Sequence, residues 1–498
     1  MDNINKNKTA FISTSIPYVN ANPHLGHAME FVMTDIIARY KRLSNTDTFF
    51  VSGTDDNALK NVQSAEKEDI PVAEFVKKHA ENFKKLASML AVSNDYFIET
   101  SVDEQHRLGA QKLWEYAQKD IYKKKYKGLY CVGCEEFKTE KELINGRCSE
   151  HLGSTPEVVE EENYFFKLSS YQKQLHEIIS TDKIKIVPQS RKNETLRFIE
   201  KGLEDFSISR SVERAHGWGI PVPKDDSQIQ YVWFDALSNY INALGYASDS
   251  DKFKKYWTEV SEAVHIIGKG ILRFHTIYWP AILLSAGIRL PTKIIVHGYI
   301  TIDGAKMSKS VGNVVDPKDL IDEYGTDAVR YYLARHINPF EDSDFTKDKF
   351  KEAYNANLAN GIGNLTARIM KLAETHLDKP VDIPENLGVR SFLEEERSDG
   401  KRGDLEERFG DLLNKFEVSK AIDLVWEHMG DLDKYIQEEK PFSVVKEDKE
   451  KGVEIIKNIT IKLYTIGRML DPILPETSEK IRDAVEENKM PQTLFVRK

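Results

Sequence analysis

The stretch Pro23-His24-Leu25-Gly26-His27 separates a predicted strand from a predicted helix. Residues 11–16 before it are an apolar run typical of a buried strand, and residues 28–40 after it carry apolar side chains at helical spacing. In α/β folds such a turn lies where the N–H groups of a helix bind anions. Gly26 lets a ligand approach the backbone, and both histidines can donate hydrogen bonds to phosphate oxygens. The turn therefore predicts phosphate binding, although two neighbouring histidines by themselves are more often incidental.

A second strand and helix follow this first pair. Residues 48–52 predict a strand, and residues 72–90 predict a helix with Pro71 in its first turn. Asp55 and Asp56 come directly after the strand, at the ligand-binding edge of an open α/β sheet. One carboxylate there can bind an ammonium group, whereas for Asp56 we favour the structural alternative, a helix N-cap.

The three cysteines of the chain all lie within residues 131–148. Cys131-Val132-Gly133-Cys134 and Cys148-Ser149-Glu150-His151 form a C-x2-C pair and a C-x2-H pair with a 13-residue spacer. Three thiolates and an imidazole are the closed tetrahedral ligand set of a structural Zn²⁺ ion, which leaves no position for a catalytic water. We therefore predict one structural zinc at these four side chains. The alternative is reduced, buried thiols beside a surface histidine.

The α/β pattern returns after residue 210. Residues 264–268 and 294–300 predict two buried strands. A glycine-flanked loop without apolar periodicity follows, with the sequence Lys306-Met307-Ser308-Lys309-Ser310. Lysines in such a loop can neutralise charge on phosphates during phosphoryl or nucleotidyl transfer. Because the loop and the His24 turn flank one α/β pattern, they predict a common nucleotide site.

The whole chain has 498 residues and a formal net charge of -10, and its length predicts about two to four domains. No apolar run is long enough to span a membrane. The acidic balance gives no sign of a nucleic-acid-binding domain, but it leaves room for a local basic surface. Residues 1–8 lack the apolar core of a signal peptide and the arginines of a transit peptide. We therefore expect a cytoplasmic protein with no membrane partner.

These motifs together resemble a known family. His24-Leu25-Gly26-His27 with Lys306-Met307-Ser308-Lys309-Ser310 resembles the two signatures of class I aminoacyl-tRNA synthetases. Residues 16–18, 231–236, 267–269 and 296–299 resemble the methionyl-tRNA synthetases, and the cysteine spacing resembles the single-zinc form of that family. The resemblance covers nearly the full length and rests on several independent motifs.

The resemblance implies a domain organisation. A Rossmann-like, doubly wound parallel α/β sheet is expected at residues 9–117 and 211–325, split by an insertion at 118–210 that carries the zinc knuckle. A linking segment bearing on the tRNA stem is expected at 326–352, and an α-helical anticodon-binding bundle at 353–498. The chain ends with this helical region, without an appended domain of the kind that some relatives carry, so we expect a monomer.

The resemblance also implies a reaction. L-Methionine is activated with ATP to methionyl-adenylate, and the methionyl group is transferred to the 3′-terminal adenosine of tRNA(Met). Mg²⁺ is expected to arrive with ATP, bound through phosphate oxygens, rather than in a protein cage.

The family's site residues match positions of this sequence. The implied catalytic residues are His24, His27, Lys306 and Lys309, and ATP binding adds Gly26 and Ser308. The implied anticodon-binding residues are Asn364, Arg368 and Phe442. The implied methionine pocket consists of Ser15, Ile16, Tyr18, Asp55, Trp233, Ala236, Leu237, Tyr240, Ile271 and His275.

The sequence departs from the family pattern at several of these places. After Asp55 the family text is closer to Glu-His-Gly, whereas this chain has Asp56-Asn57-Ala58. Gly270 stands where an aspartate is common, Leu237 where proline is common, and Phe442 where a tryptophan usually stacks on the anticodon. Because both signatures are intact, these changes indicate altered affinities rather than a lost reaction.

Two alternatives remain open. The first is a class I synthetase of another specificity: the isoleucine, valine and leucine enzymes carry a large editing insertion between the signatures, and a cysteinyl enzyme would hold zinc in its amino-acid pocket. The second is a non-catalytic tRNA-binding paralogue, against which the intact His24, His27, Lys306 and Lys309 argue.

Overall fold

The computed structural model describes residues 8–133, 136–138, 143–149, 155–302, 304–306, 314–383 and 405–498. At 136, 137, 305, 306 and 406 it describes the backbone. These residues form two compact units. The first unit comprises the described residues up to Pro23, together with Asn45–Leu86 and Ser93–His297. The second comprises His24–Ser44, Ala87–Val92 and the described residues from Gly298 onward.

The strands are, in chain order, β1 (Thr9–Ser13), β2 (Asp47–Thr54), β3 (Tyr96–Glu99), β4 (Ile121–Cys131), β5 (Glu136–Lys138), β6 (Leu143–Ile144), β7 (Arg147–Cys148), β8 (Glu157–Phe166), β9 (Lys185–Val187), β10 (Phe206–Ser207), β11 (Ser209–Ser211), β12 (Pro221–Val222), β13 (Asp225–Gln230), β14 (Glu262–Gly268), β15 (Lys293–His297), β16 (Ile300–Ile302), β17 (Ala305–Lys306) and β18 (Ser343–Asp344).

The α-helices are α1 (Leu25–Leu43), α2 (Leu59–Glu68), α3 (Val72–Met89), α4 (Glu104–Ala117), α5 (Gln172–Ser180), α6 (Gln189–Glu200), α7 (Val232–Leu237), α8 (Asn239–Asn242), α9 (Asp251–Phe253), α10 (Trp279–Ala286), α11 (Pro317–Tyr324), α12 (Thr326–Arg335), α13 (Lys347–Ala353), α14 (Asn364–His376), α15 (Leu405–Asn414), α16 (Val418–Glu439), α17 (Pro441–Glu447), α18 (Lys449–Leu470) and α19 (Pro475–Glu487). Three π-helical segments lie at Lys254–Thr258, Phe274–Tyr278 and Tyr354–Gly363.

A six-stranded parallel sheet organises the first unit, in the order β3-β2-β1-β14-β15-β9. Its central strands are continuous apolar runs because both faces of a parallel sheet are covered; Phe11, Phe50 and Val264 are fully buried. The strand order reverses between β1 and β14, which is where open α/β sheets bind ligands at the carboxyl ends of their strands. The predicted parallel α/β sheet is therefore confirmed.

Residues 118–210 contribute strands to several sheets of the first unit, two of which concern the predicted insertion most directly. β4, β5, β8 and β10 form an antiparallel sheet, in which the basic run of β4 lies opposite the acidic run of β8: Lys125 pairs with Glu162, and Lys127 with Glu160. β9 belongs instead to the edge of the main parallel sheet, beside β15. The basic run is thus matched by opposite charge on the neighbouring strand.

The second unit is mainly helical, as predicted for the C-terminal part of the chain. Arg330 of α12 is fully buried and forms an ion pair with Asp35 of α1, with 2.8 Å between Nη1 and Oδ2. The same guanidinium donates to the carbonyl oxygens of Leu90, Pro472 and Ile473 at 2.8–2.9 Å. Because these acceptors satisfy the buried cation, Arg330 ties α1 to the residues between α18 and α19.

One predicted strand and two helical regions depart from a single regular element. The run at 294–300 divides into β15 and β16 at Gly298, where a side chain would collide with the backbone of Glu341. The residues from Trp233 to Tyr240 lie on two helices, α7 and α8, which are divided at Ser238. Residues Tyr354–Gly363 are wound as a π-helix that leads into α14.

Candidate functional site

The carboxyl ends of β1 and β2 bring together two of the predicted methionine-site residues of the first unit. Tyr18 and Asp55 form a parallel β-bridge beyond the ends of these strands, and the N–H of Asp55 donates to the carbonyl of Pro17 at 2.8 Å. Asp55 is 2% exposed. A carboxylate is therefore held almost out of water at the carboxyl ends of β1 and β2, next to the switch point between β1 and β14.

Aromatic rings continue from Tyr18 into the unit. The Tyr18 ring meets Trp233 edge-on at 6.1 Å between centroids, and Trp233 stacks on Phe274 at 3.7 Å. His275 stands edge-on to the same tryptophan at 6.4 Å. Phe274 was not predicted from the sequence, although it lies between the two predicted residues Ile271 and His275. The chain of rings forms an apolar wall suited to a thioether side chain.

Hydrogen bonds fix the orientation of His275. Its Nδ1 lies 2.9 Å from the carbonyl oxygen of Ile271, and its Nε2 lies 2.7 Å from the hydroxyl of Tyr240. Because a carbonyl oxygen only accepts, Nδ1 donates to it, and in the neutral ring Nε2 accepts the Tyr240 proton. The two predicted residues thus form one polar end within an otherwise apolar environment.

His265, on β14, supports this polar end and was not found from the sequence. Its ring lies 4.1 Å from that of Tyr240. Nε2 accepts from Nε1 of Trp279 at 3.3 Å, so Nδ1 carries the proton and donates to Oγ of Ser13 at 2.8 Å. Complete burial lowers the pKa of His265 well below its usual value, because a charged ring would be desolvated there, and the nearby imidazole of His275 lowers it further. His265 is therefore a neutral, buried ring that packs against Tyr240.

The remaining predicted pocket residues lie on the same elements. Ser15 and Ile16 follow β1, and Ile16 packs on the core of the unit. Ala236 and Leu237 are buried at the end of α7. Ile271 ends a short 3₁₀ turn that also contains Gly270. These positions do not test the predicted roles of the side chains.

Two other buried carboxylates, those of Asp56 and Asp235, accept hydrogen bonds from nearby residues. Asp56 accepts hydrogen bonds from the N–H and the hydroxyl of Ser101 at 3.2 and 2.8 Å, and burial raises its pKa to about 6. The N-cap of α2 is Ala58, so the expectation that Asp56 caps a helix is wrong. Asn57 donates to the buried Asp235 at 3.3 Å. These hydrogen bonds therefore hold the buried carboxylates of Asp56 and Asp235 in fixed positions.

The signature histidines lie at the start of α1, in the second unit. His24 is the N-cap residue: the N–H of Gly26 donates to Nδ1 of His24, and the N–H of His24 donates to Nδ1 of His27, both at 3.1 Å. The two rings stack at 3.9 Å. Since both Nδ1 atoms accept backbone protons, each neutral ring carries its proton on Nε2. That is the tautomer able to donate to a phosphate oxygen.

The second signature lies largely outside the described residues. The backbone of Lys306 pairs with Thr301 between β17 and β16. Ser308 and Lys309 lie outside the described residues. Gly304 has a φ of +73°, and its N–H donates to Asp344 at 2.9 Å, which lowers the pKa of that carboxyl. The turn that leads into the signature is thereby fixed to β18.

The three predicted anticodon residues meet in one pocket of the second unit. Asn364, Arg368 and Phe442 line a cavity of about 660 Å³ together with Lys371, Gln437 and Met490. Arg368 forms an ion pair with Asp433, which also accepts a hydrogen bond from Gln437 at 2.8 Å. The aromatic ring of Phe442 is half-exposed. The pocket offers an amide, a guanidinium and an exposed ring, which are groups that hydrogen-bond and stack with unpaired bases.

Sequence comparisons place the chain among known proteins. The family described as "tRNA synthetases class I (M)" matches residues 10–152 and 138–370. The methionine--tRNA ligase of Thermotoga maritima is 38% identical over 478 residues, which is 95% of this chain and 74% of that protein. The methionine--tRNA ligase of Brucella suis is 36% identical over 479 residues, or 95% and 91% of the two chains.

The chain belongs to the methionine--tRNA ligase family. A crystal structure of Mycobacterium tuberculosis methionyl-tRNA synthetase bound by methionyl-adenylate superposes on it with a TM-score of 0.86, at 33% identity and with 99% of each chain covered. The predicted family, the synthetase fold and the ligase class are thereby confirmed.

The zinc prediction for this methionine--tRNA ligase family member falls partly outside the described residues. Cys131 ends β4 and Cys148 ends β7, and both are buried. Cys134 and His151 lie outside the described residues. Within the described ranges no three metal-ligating side chains cluster. None of the described helices is long and apolar enough to cross a membrane.

Proposed function

We propose that the chain activates L-methionine with ATP to methionyl-adenylate and pyrophosphate, and then transfers the methionyl group to the 3′-terminal adenosine of tRNA(Met). The observation that carries the proposal is the arrangement of Asp55, Tyr18 and Trp233 beside the Tyr240–His275 pair at the switch point of a class I sheet. The pocket combines one carboxylate with an apolar wall and one polar end, which matches the ammonium and thioether groups of methionine.

Methionine binding follows from this arrangement. The buried carboxylate of Asp55, at the carboxyl end of β2, binds the α-ammonium group, because its negative charge complements the positive charge of that group. Tyr18, Trp233 and Phe274 pack the side chain, and each sulfur–aromatic contact contributes about 0.3–1.5 kcal/mol. The remaining implied residues, Ser15, Ile16, Ala236, Leu237, Tyr240, Ile271 and His275, complete the pocket. An apolar pocket separates substrates that differ by one methylene by only about 1–3 kcal/mol, so selectivity depends on its shape.

The first chemical step requires alignment rather than a base. The methionine carboxylate is ionised at neutral pH and attacks the α-phosphate of ATP, so that the P–O bond to pyrophosphate breaks. His24 and His27 donate to phosphate oxygens, since their Nδ1 atoms accept backbone N–H groups and leave the protons on Nε2. Gly26 gives ATP access to the backbone, and Lys306, Ser308 and Lys309 stabilise the charge on the triphosphate. The phosphate oxygens of ATP would hold the Mg²⁺ that arrives with it, and the ion would supply charge neutralisation there.

The second step uses the tRNA. A ribose hydroxyl of its terminal adenosine attacks the carbonyl carbon of the adenylate, and AMP leaves with the electrons of the C–O bond. Asn364, Arg368 and Phe442 bind the anticodon; the supporting observation is that all three line one cavity. Phe442 stacks on a base as the family's tryptophan does, with less area and without an N–H donor.

The departures from the family pattern alter the surroundings of the site. Asn57 donates to Asp235, so this position stabilises a buried carboxylate. Gly270 provides no carboxylate in the turn before Ile271. Neither change removes an assigned group, so we infer altered substrate affinities with the reaction retained.

The metal and cellular setting complete the proposal. Cys131, Cys134, Cys148 and His151 would hold one structural Zn²⁺; the burial of the two described thiols fits a closed ligand set that supports folding and takes no part in the reaction. We further propose that the protein acts as a monomer in the cytoplasm, where protein synthesis consumes its product.

Acylation of purified tRNA(Met) with labelled methionine and ATP tests the proposed function. We expect methionyl-tRNA to form, and His27→Ala to lower the rate of adenylate formation by about tenfold or more because one charge-stabilising donor is lost. Formation of another aminoacyl-tRNA would support a different specificity. Tight tRNA binding without any acylation would support the non-catalytic paralogue.

A further inference from the structure

Lys60 of α2 contacts the aromatic wall from outside the set of residues assigned so far. Its Nζ lies 3.6 Å from the centroid of the Tyr18 ring, within the range of a cation–π interaction. The same Nζ donates to the carbonyl oxygen of Gly133 at 3.2 Å. One ammonium group therefore links the Tyr18 ring to the loop that follows β4.

The position of this ammonium group is fixed by packing. Leu59 and Val62, on either side of Lys60 in α2, form a small buried cluster with Tyr130 of β4 and Val159 of β8. Trp218 packs on the cluster, and its indole N–H donates to the carbonyl of Asp56 at 2.9 Å. Since α2 and β4 share this cluster, the carbonyl of Gly133 and the side chain of Lys60 are held together.

The Tyr18 ring has a second aromatic neighbour, since it forms a T-shaped pair with Trp233. The backbone of Tyr18 is also paired with Asp55. A ring held by a cation on its face and a tryptophan at its edge has one preferred orientation. That orientation determines whether the ring closes the methionine pocket.

We propose that Lys60 is a positioning residue for methionine: it orients the Tyr18 ring by a cation–π interaction and is itself oriented by the carbonyl of Gly133. The inference rests on the proposed function, since it requires Tyr18 to contact methionine. The carbonyl of Gly133 belongs to segment 121–166, which includes β4 and β8. By orienting Lys60, this segment then contributes to methionine affinity as well as to the stability of the fold. ATP, which does not contact Tyr18 in this proposal, is bound independently of Lys60.

Steady-state ATP–pyrophosphate exchange with the full-length chain tests the inference. For Lys60→Met we expect the KM for methionine to rise about three- to tenfold, because one partly desolvated cation–π contact is lost. We expect kcat and the KM for ATP to change less than about twofold. Lys60→Arg retains a cation and is expected to stay within about twofold of the unchanged protein. Lys67→Met, on the exposed face of the same helix, is the matched control.

A double-substitution cycle separates this inference from the proposed function. Tyr18→Leu is expected to raise the KM for methionine, and Lys60→Met is expected to add less than about twofold in that background. If Tyr18→Leu leaves the KM unchanged, the methionine site itself is wrongly assigned. If Tyr18→Leu raises the KM but Lys60→Met does not, only the inference about Lys60 is overturned.

Two further outcomes also count against the inference. An equal loss for methionine and ATP, or a fall in kcat alone, would indicate that Lys60 only supports the fold. Additive effects in the Tyr18→Leu background would show that Lys60 acts by another route. Circular dichroism and thermal unfolding verify each variant, and Lys60→Gln replaces Lys60→Met if the latter fails to fold.

Discussion

The two proposed recognition sites, for methionine in the first unit and for the anticodon in the second, are built in opposite ways. In the methionine pocket Asp55, Tyr240 and His275 are at most 2% exposed, and each is hydrogen-bonded or backbone-paired. In the anticodon pocket the side chains of Arg368 and Asp433 are 46% and 39% exposed. Methionine, which the protein must distinguish from similar amino acids, binds in this proposal to buried groups whose positions are already fixed. The anticodon binds to exposed groups, whose interactions are weakened by water and salt.

The largest effect that distinguishes the two sites is expected at Asp55. Asp55→Ala should lower kcat/KM for methionine in ATP–pyrophosphate exchange by a factor of about 10² to 4 × 10³, since removal of one member of a buried ion pair costs about 3–5 kcal/mol. The dissociation constant for tRNA, measured by filter binding, should remain unchanged. Weaker tRNA binding with normal exchange would reverse the assignment.

The next largest effect is expected at Arg368. Arg368→Ala should raise the KM for tRNA about 5- to 100-fold, the range for loss of one base contact of about 1–3 kcal/mol, and leave adenylate formation intact. Lys371→Ala, in the same pocket, provides a comparison for loss of charge. A decrease in adenylate formation in Arg368→Ala would exclude a role confined to the anticodon.

A pH-dependent effect on stability is expected at Asp56, behind the methionine pocket. Burial raises its pKa from 3.8 to about 6, so the folded state binds the proton more tightly than the unfolded state. The contribution of this group to stability is therefore fully present below about pH 4 and is lost as the pH rises through about 6. Asp56→Asn should remove this pH dependence and raise the free energy of unfolding by about 1–2 kcal/mol at pH 7.5, after the loss of the Ser101 contacts.

Chemical unfolding of both proteins between pH 4 and pH 7.5 measures this difference. Parallel curves for the two proteins over that range would show that Asp56 is not the titrating group.

The smallest effect is expected at Asp433. Asp433→Asn should change the free energy of unfolding by less than about 1 kcal/mol, because exposed ion pairs are weak and screened by salt. Asp35→Asn, which leaves the buried Arg330 without its carboxylate, should cost about 3–5 kcal/mol. Similar losses for the two variants in urea unfolding would contradict the contrast between exposed and buried charge.

The sequence predicts the parts of the molecule that depend on local pattern. Apolar runs located β1, β2 and β14, because a buried parallel strand needs apolar side chains on both faces. Asn364 and Arg368, which the family resemblance matched, both lie on α14, and the pocket that they share with Phe442 is lined by residues of α14, α16 and α17. The apolar pattern of a segment predicts its structure well where that pattern alone decides which side chains are buried.

The support for the methionine pocket could not be predicted in the same way. His265 and Phe274 are joined to Tyr240 and Trp233 by tertiary contacts, which leave no spacing in one sequence. Asp56 was expected to be a helix N-cap, but Ser101, 45 residues away, donates to its carboxylate instead. Gly298 divides a run that reads as one strand, because the backbone of Glu341 approaches it.

The most direct test of the account is ATP–pyrophosphate exchange with methionine, leucine, isoleucine, valine and cysteine, in the unchanged chain and in Trp233→Ala. The account predicts exchange that is at least about tenfold more efficient with methionine than with any of the other four, and a loss of that preference in Trp233→Ala as the aromatic wall opens. Preferred exchange with leucine or isoleucine, or a preference for methionine that survives Trp233→Ala, would contradict it.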